Sequence, residues 1–463
     1  MPPKFPQAHR QIGVMALTLL LAATLACGDG TGSGLTKGST PPGSNPWTNP
    51  LPLENWTATD AQDPSVALDY VGNAIVTWNG KSSTGSNSSI WANNYSTITD
   101  WTGYTRVGSL TGDASDQKIA MNNDGLATIV WTQGTGTGSI QSFRYSPVTG
   151  FMGLTEPVSA TTRDAMTPAV AVDQYGNAIA TWVQSDGTHY HTWACRYMPS
   201  SGWDTPLQLD SNLGEESRYP AVAMDPSGDA VVIWHQSADL VHGPYSVQVR
   251  HYWAGQGWST SPVNLDLNHD AWNPAIALSN DGAQAVWEET TDNQTTIQVY
   301  TSRYTSLGGW SDPVRVSSTS AKANWPSVAI DASGNSIVTW AQTVATDSYA
   351  AMATRYSPLG GWEVPASFVN GDSGASAPVV SMNAGGTAVI AWSRTAGSNT
   401  DIYAVRYLQG WGNPYLVSPD AGGQASFPSV CVGGDGHIRA AWMQQDQSTT
   451  IYHVLTSDYQ ISQ

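Results

Sequence analysis

Charge is scarce in this sequence. Of its 463 residues only 12% are Asp, Glu, Lys or Arg, about half the usual ~25%. The charges are also one-sided, with 18 Lys and Arg against 36 Asp and Glu and a formal net charge of −18. No run of Lys or Arg occurs, which excludes nucleic acid and anionic lipid surfaces as partners, because phosphate binding needs clustered cations. Phe occurs 5 times and Cys 3 times, so there is no disulfide framework. The Ala, Glu, Lys and Leu mixture of helical proteins is missing as well. What is present is 45 Gly, 21 Trp and 19 Tyr within a 40% apolar composition. That is enough to build a core, and it points to many short strands joined by tight turns.

The first residues read as an address. Lys4 and Arg10 precede an apolar run from Ile12 to Ala26, which has the length of a secretory signal and is too short to prefer a membrane-spanning helix. The run ends Thr24-Leu25-Ala26-Cys27-Gly28. This resembles the lipobox of bacterial lipoproteins, with small Ala26 before the Cys27 that would be lipidated, although Thr24 stands where that pattern has Leu. The resemblance implies a signal peptide over 1–26 and a lipid on Cys27. Gly28 after it implies the outer membrane or cell surface, and without the lipid the protein would be secreted. Residues 27–46 are rich in Gly, Ser, Thr and Pro and read as a flexible tether. No other segment has the 18 continuous apolar residues of a span.

The rest of the chain is one unit repeated. The pattern P-x-V-A-x-D-x-x-G-N-A-x-x-x-W starts at Pro64, Gln117, Pro168, Pro220, Pro274, Pro326, Pro378 and Pro428. Its Trp recurs at 78, 131, 182, 234, 287, 340, 392 and 442. A period near 50 residues marks a propeller or an array. Each unit reads as four strands. Strand A is P-x-V-A-x-D and strand B is N-A-x-x-x-W. Strand C ends in Arg-Tyr, as at Arg196-Tyr197, and strand D opens on an aromatic, as at Trp310. Alternation such as Ala178, Ala180, Trp182 has the strand period. In Asp173-Gln174-Tyr175-Gly176 the Asp is a turn former and Gly takes the left-handed position. This turn resembles the Asp-box of sialidase-like propellers and the Trp-docking repeat of quinoprotein propellers, with a spacing of its own.

Strands A, B and C occur eight times and end at Tyr459, with no strand D after them. The missing copy is at the front, where Trp47-Thr48-Asn49-Pro50 matches Trp411-Gly412-Asn413-Pro414. The expected fold is therefore all-β: one eight-bladed β-propeller over 47–463, its ring closed by the N-terminal strand.

Architecture accounts for 15 of the 21 Trp, read as packing between blades. The strand C Arg at 144, 196, 250, 303, 355 and 406 reads as stacked or paired scaffold. Cys195 and Cys431 read as buried thiols. Function is then expected on the face with the longer, unlike D→A and B→C loops. There lie Trp56, Tyr219, Trp272, Trp325 and Phe427, with His189, Tyr190, His191, His235, Asp239, His242, Glu288, Glu289 and Arg394. A ring of aromatics at the channel mouth suits sugar stacking, and the same rings could simply plug the channel.

Glu288, Glu289 and Asp292 are the weak candidates for catalysis, since a glycosidase needs two carboxylates. Glu289, however, sits where five other repeats have a W-x-Q Gln. No cofactor is expected, with Ca²⁺ at the acidic residues Asp113, Asp116 and Asp124 as the exception to test. No metal motif, G-x-S-x-G or phosphate loop occurs. The sialidase and quinoprotein resemblances come without their catalytic signatures: Arg163, Arg218 and Arg394 match no arginine-triad motif, and the adjacent Cys pair is missing. The expectation is an exported, monomeric binding propeller for a glycan or protein, with a membrane contact only through its lipid. The alternatives are a glycoside hydrolase or polysaccharide lyase using top-face carboxylates, and a structural part of an envelope assembly.

Overall fold

Eight four-stranded antiparallel blades stand around one axis, with no helix among the described residues. The structure is a computed structural model. It describes residues 45–54, 60–81, 87–109, 111–134, 136–160, 162–211, 214–237, 244–267, 270–290, 296–345, 348–368, 374–418, 423–446 and 451–460. Blade 1 consists of strand A Ala61–Leu68, strand B Ala74–Lys81, strand C Ser88–Ser96 and strand D Asp100–Arg106. The same order repeats over 114–157, 165–208, 216–264, 271–315, 323–367, 374–416 and 425–459 for blades 2 to 8. Successive A strands line the axis, and strand A of blade 1 packs on strands A and B of blade 8. The chain closes the ring as its repeats foretell. Leu51 and Pro52 pair with Thr456 and Leu455 as the outermost strand of blade 8, and Trp47 bridges Tyr459.

The hairpin turns follow the expected mechanism. Asp173 Oδ1 accepts from the backbone N–H of Tyr175 and Asn177 at 2.8 and 2.9 Å, and Gly176 has φ 78°. Such a φ is cheap only for Gly. Asp69 and Asp331 make the same bonds.

The two sets of repeated Trp do different work. Each strand B Trp is at most 2% exposed and lies in a cluster shared with the preceding blade, as Trp442 does with Val389, Ala391 and Ile402. In six blades its indole N–H donates to the side chain two residues on, as Trp340 Nε1 does to Gln342 Oε1 at 3.1 Å. The strand D aromatics pack both within their own blade and against the preceding one, as where Trp203 Nε1 donates to Ser142 Oγ of blade 2 at 2.9 Å and Trp310 Nε1 to His251 of blade 4 at 3.1 Å. Each meets the strand C Tyr across the strand pair, with ring centroids 5.0–5.6 Å apart in all eight blades. Such a pair is worth about 0.5–1.5 kcal/mol beyond its burial.

A further link between blades on the outer side is the strand C Arg. Arg144 lies over Tyr197, Arg303 over Tyr356 and Arg406 over Tyr459, each reaching the Tyr of the next blade. Arg250 does not take this place in blade 4. Pairing register gives it to His251, whose ring lies 4.2 Å from Tyr304, because this strand runs Arg-His-Tyr and not Arg-Tyr. In blade 8 strand C carries Asp458, and the cation comes from strand B. Arg439 holds Asp458 at 2.5 and 2.9 Å and covers Tyr95 of blade 1 at 3.9 Å.

Strand A begins three residues before its Pro, not at it. Ala165 pairs with Gln184 and Met166 with Val183, and the register then shifts before Ala169. The same bulge occurs in all eight blades. The residue just before the Pro, or before Gln117 in blade 2, is left-handed in each: Asp63, Asp116, Thr167, Tyr219, Asn273, Trp325, Ala377 and Phe427 have φ of 49–57°.

Candidate functional site: the channel mouth

The eight bulges set the site. A non-Gly residue at positive φ costs on the order of 1–3 kcal/mol and persists only where its surroundings dictate it. Here the bulge is architecture, because Ala377 adopts it as readily as Trp325. Its effect is to place one half-buried side chain per blade in a ring where strand A starts and strand B ends. The scaffold is constant and the side chains differ, which is the arrangement of a binding surface on a rigid frame.

One arc of this ring is aromatic and continuous across blades 3 to 6. The Arg218 guanidinium lies 4.2 Å from the centre of the Tyr190 ring. Tyr219 follows, 5.2 Å from His235. His235 is 5.4 Å from Tyr245, and Tyr245 is 6.4 Å from Trp272. Trp272 hydrogen-bonds Glu288, and Glu288 Oε1 accepts from the Trp325 backbone N–H at 2.8 Å. Trp325 ends the arc, 5.7 Å from Tyr349. Cross-strand register explains the grouping. The residue two before the Pro faces the residue after the strand B Trp, so Arg218 pairs with His235 and Trp272 with Glu288.

Two buried groups in this arc are perturbed. Glu288 is 2% exposed, and burial pushes its carboxyl up to about 7, against hydrogen bonds from Asn273, the Trp325 backbone and Trp272. Burial, helped by the Arg218 charge, pushes His235 down to about 3. His235 is 4% exposed, and its Nδ1 has no hydrogen-bond partner. Beside the arc, blades 1 and 2 put Lys118 between Asp63 and Asp116. Burial raises Asp63 to about 6, and the nearby Lys118 charge opposes that rise.

The other candidates fall elsewhere. Glu289 is fully buried at the W-x-Q position, accepting from Trp287 Nε1 at 2.7 Å and from the Leu267 N–H at 3.1 Å. Arg394 stands at the same position in blade 7, over Tyr403 at 5.0 Å. His191 is 1% exposed, held between Asp186 and Asp210 at 3.4 and 3.2 Å, and His189 lies 6.5 Å from it. Phe427 is in the bulge ring, in blade 8 away from the arc. Cys195 and Cys431 are buried free thiols. Asp113 and Asp116 lie at the mouth end of strand A and Asp124 in the turn at its other end, so the three do not share a site. Among the described residues no group of three or more His, Cys, Asp or Glu could hold a metal ion. Cys27, Trp56, Asp239, His242 and Asp292 lie outside the described residues.

Sequence reading missed Tyr245, Tyr349 and Asn273, and gave Arg218 no partner. The signal was positional: the first residues of strand C and the cross-strand mates of named candidates.

The sequence matches no family model and no curated protein. Solved structures resemble its fold. The BP39L lectin from Burkholderia pseudomallei is 13% identical with a TM-score of 0.54, over 78% of this chain and 99% of the lectin. A polysaccharide lyase of the ulvan lyase family PL25 is 10% identical with a TM-score of 0.48, over 88% and 95%. The β-propeller domain of the trilobed protease from Pyrococcus furiosus is 6% identical with a TM-score of 0.46, over 79% and 97%.

Proposed function

We propose that this protein is a glycan-binding propeller whose ligand lies along the arc from Tyr190 to Tyr349. The continuous arc carries the reading. It offers six half-buried rings beyond the histidine, namely Tyr190, Tyr219, Tyr245, Trp272, Trp325 and Tyr349, interleaved with the polar groups of Arg218, His235 and Glu288. Sugar rings have apolar faces that stack on aromatics and hydroxyls that need hydrogen-bond partners at their edges, and aromatic side chains with polar neighbours supply both. The lectin likeness concerns the fold; the site supports the ligand class. A glycan array followed by titration tests it. Trp272→Ala and Trp325→Ala should each weaken binding about tenfold or more at unchanged fold, from the loss of a stacking ring. A ligand that binds both variants like the parent protein refutes the site.

Glu288 favours a second reading. A buried carboxyl near 7 is poised to give or take a proton at neutral pH, as a hydrolase or lyase needs. Polysaccharides incubated with the protein would then gain new chain ends, and Glu288→Gln would abolish this. Turnover that survives Glu288→Gln removes Glu288 as the proton carrier.

The reading includes export by a signal over 1–26, lipidation of Cys27 and a tether over 27–46, with the propeller held as a monomer at the outer membrane or cell surface. Cys27→Ser should move the protein from the membrane to the soluble fraction.

A further inference from the structure

The arc has one end unlike the rest. At its blade 3 to 4 end, the Arg218 guanidinium is stacked on Tyr190 and bonded through Nη2 to Glu216 Oε2 at 2.6 Å. The Tyr190 hydroxyl in turn donates to Asp164, so ring and guanidinium are both fixed in plane. Arg218 Nη1 is buried and has no hydrogen-bond partner, and neither has the Nδ1 of His235 opposite it in the strand pair. Two unsatisfied nitrogens side by side are costly in a folded protein, and an acceptor brought by a ligand would relieve that cost.

The charge acting on buried His235 is that of Arg218, whose Nη2 edge is already paired with Glu216. Lys118, the neighbouring cation of the mouth, is matched by Asp63 and Asp116. The Arg218 end thus keeps one guanidinium edge unpaired, with a planar N–H beside an aromatic ring.

We infer that this end is the subsite for the anionic group of an acidic glycan, with a uronate carboxylate accepting from Arg218 Nη1 and a neighbouring sugar hydroxyl meeting His235 Nδ1. This rests on the glycan reading and narrows it. A carboxylate fits because an ionised acceptor makes the stronger, shorter bond to guanidinium.

The experiment uses the full-length chain and a panel of oligosaccharides containing glucuronate, galacturonate, mannuronate or guluronate, each paired with its carboxyl-reduced form. At least one acidic member should bind about tenfold or more tighter than its reduced partner, since charge-assisted bonds are worth about 1.5–3 kcal/mol. Added salt should narrow that gap. Arg218→Gln should erase that gap, with the acidic form losing more affinity than the reduced one, and Arg218→Lys should restore part of it. Far-ultraviolet circular dichroism of both variants guards against misfolding. Reduced forms binding as tightly as acidic ones would overturn the subsite and leave the glycan reading standing. Binding of no member in either form, by a folded parent protein, would overturn both.

Discussion

Adjacent Glu288 and Glu289 show how far one residue step matters in a strand. Their side chains point to opposite faces. Glu289 takes the structural place of a Gln, and blade 5 explains the exchange. In blade 6, Gln342 Nε2 donates to the Ala321 and Lys322 carbonyls. Gln342 Oε1 accepts from both Trp340 and the Ser318 N–H, whereas in blade 5 the Leu267 N–H and Trp287 each meet a separate oxygen of Glu289. Glu289→Gln should therefore cost about 1 kcal/mol, as the loss of one accepting oxygen does. Glu288 behaves differently. Its folded form holds the proton more tightly than the free side chain, with a pKa of about 7 against 4.5. Stability then falls as pH rises through that window and stays lower above it. Gln has no charge to bury, so Glu288→Gln should gain about 1–3 kcal/mol at pH 8 and almost nothing at pH 5. Urea unfolding at the two pH values, on both variants, distinguishes the roles. A Glu288→Gln protein less stable than its parent at pH 8 would contradict the buried-acid account.

At the scale of strands, the repeat made most of the fold readable. Turn Gly and Asp, the strand B Trp and the strand D aromatic all recur at fixed spacing, because each answers one local demand. The bulge stayed hidden for the opposite reason. Its left-handed residue varies from Asp63 to Ala377 to Phe427, so no residue type marks it. A clue was present in the small residue three before the Pro, Ala in seven blades and Ser217 in the eighth, each at most 1% exposed. The site was half legible for the same cause: loops could be assigned to a face, but cross-strand neighbours follow from a register the bulge shifts. Charge exchange between strands was equally invisible. Asp458 looks like a defect in the strand C Arg series until Arg439 is seen beside it. Blades 3, 6 and 7 place an apolar residue opposite that Arg, as Ile179 opposite Arg196 and Ile337 opposite Arg355. Arg439→Ile should destabilise by about 1–3 kcal/mol, less than for a fully buried pair because water reaches the stranded Asp458 carboxylate. Adding Asp458→Arg should recover most of it by restoring the common arrangement. Thermal melts of the two single variants and the double one give the coupling directly. A double variant no better than Arg439→Ile would show that the outer links do not depend on an Arg over the next Tyr.

At the scale of the molecule, the arc is only as rigid as the ring that holds it, and the ring depends on a join between residues some 400 apart in sequence. Thr48 N–H donates to the Asp458 carbonyl and Gln460 N–H to the Pro46 carbonyl. Trp47 packs edge-on against Tyr459. Leu53 is 3% exposed, and Glu54 holds His453 at 3.2 Å. Deleting 45–54 would expose the edge of strand C in blade 8 and uncover Trp442 and Leu455, which share a cluster with Trp47. Burying a Trp and a Leu is worth about 2–3 kcal/mol each, so the melting temperature should drop by several degrees at least. The loss should be recoverable in trans, because the missing part is one extended segment that binds by strand addition. A synthetic peptide of residues 45–54 should raise the melting temperature of the truncated protein as its concentration rises, and a Trp47→Ala peptide should do so less. Such rescue would show that closure is a local docking event on a preformed blade. If truncation leaves the melting curve unchanged, the remaining blades hold the ring by themselves, and the arc would owe its rigidity to packing between blades rather than to the join.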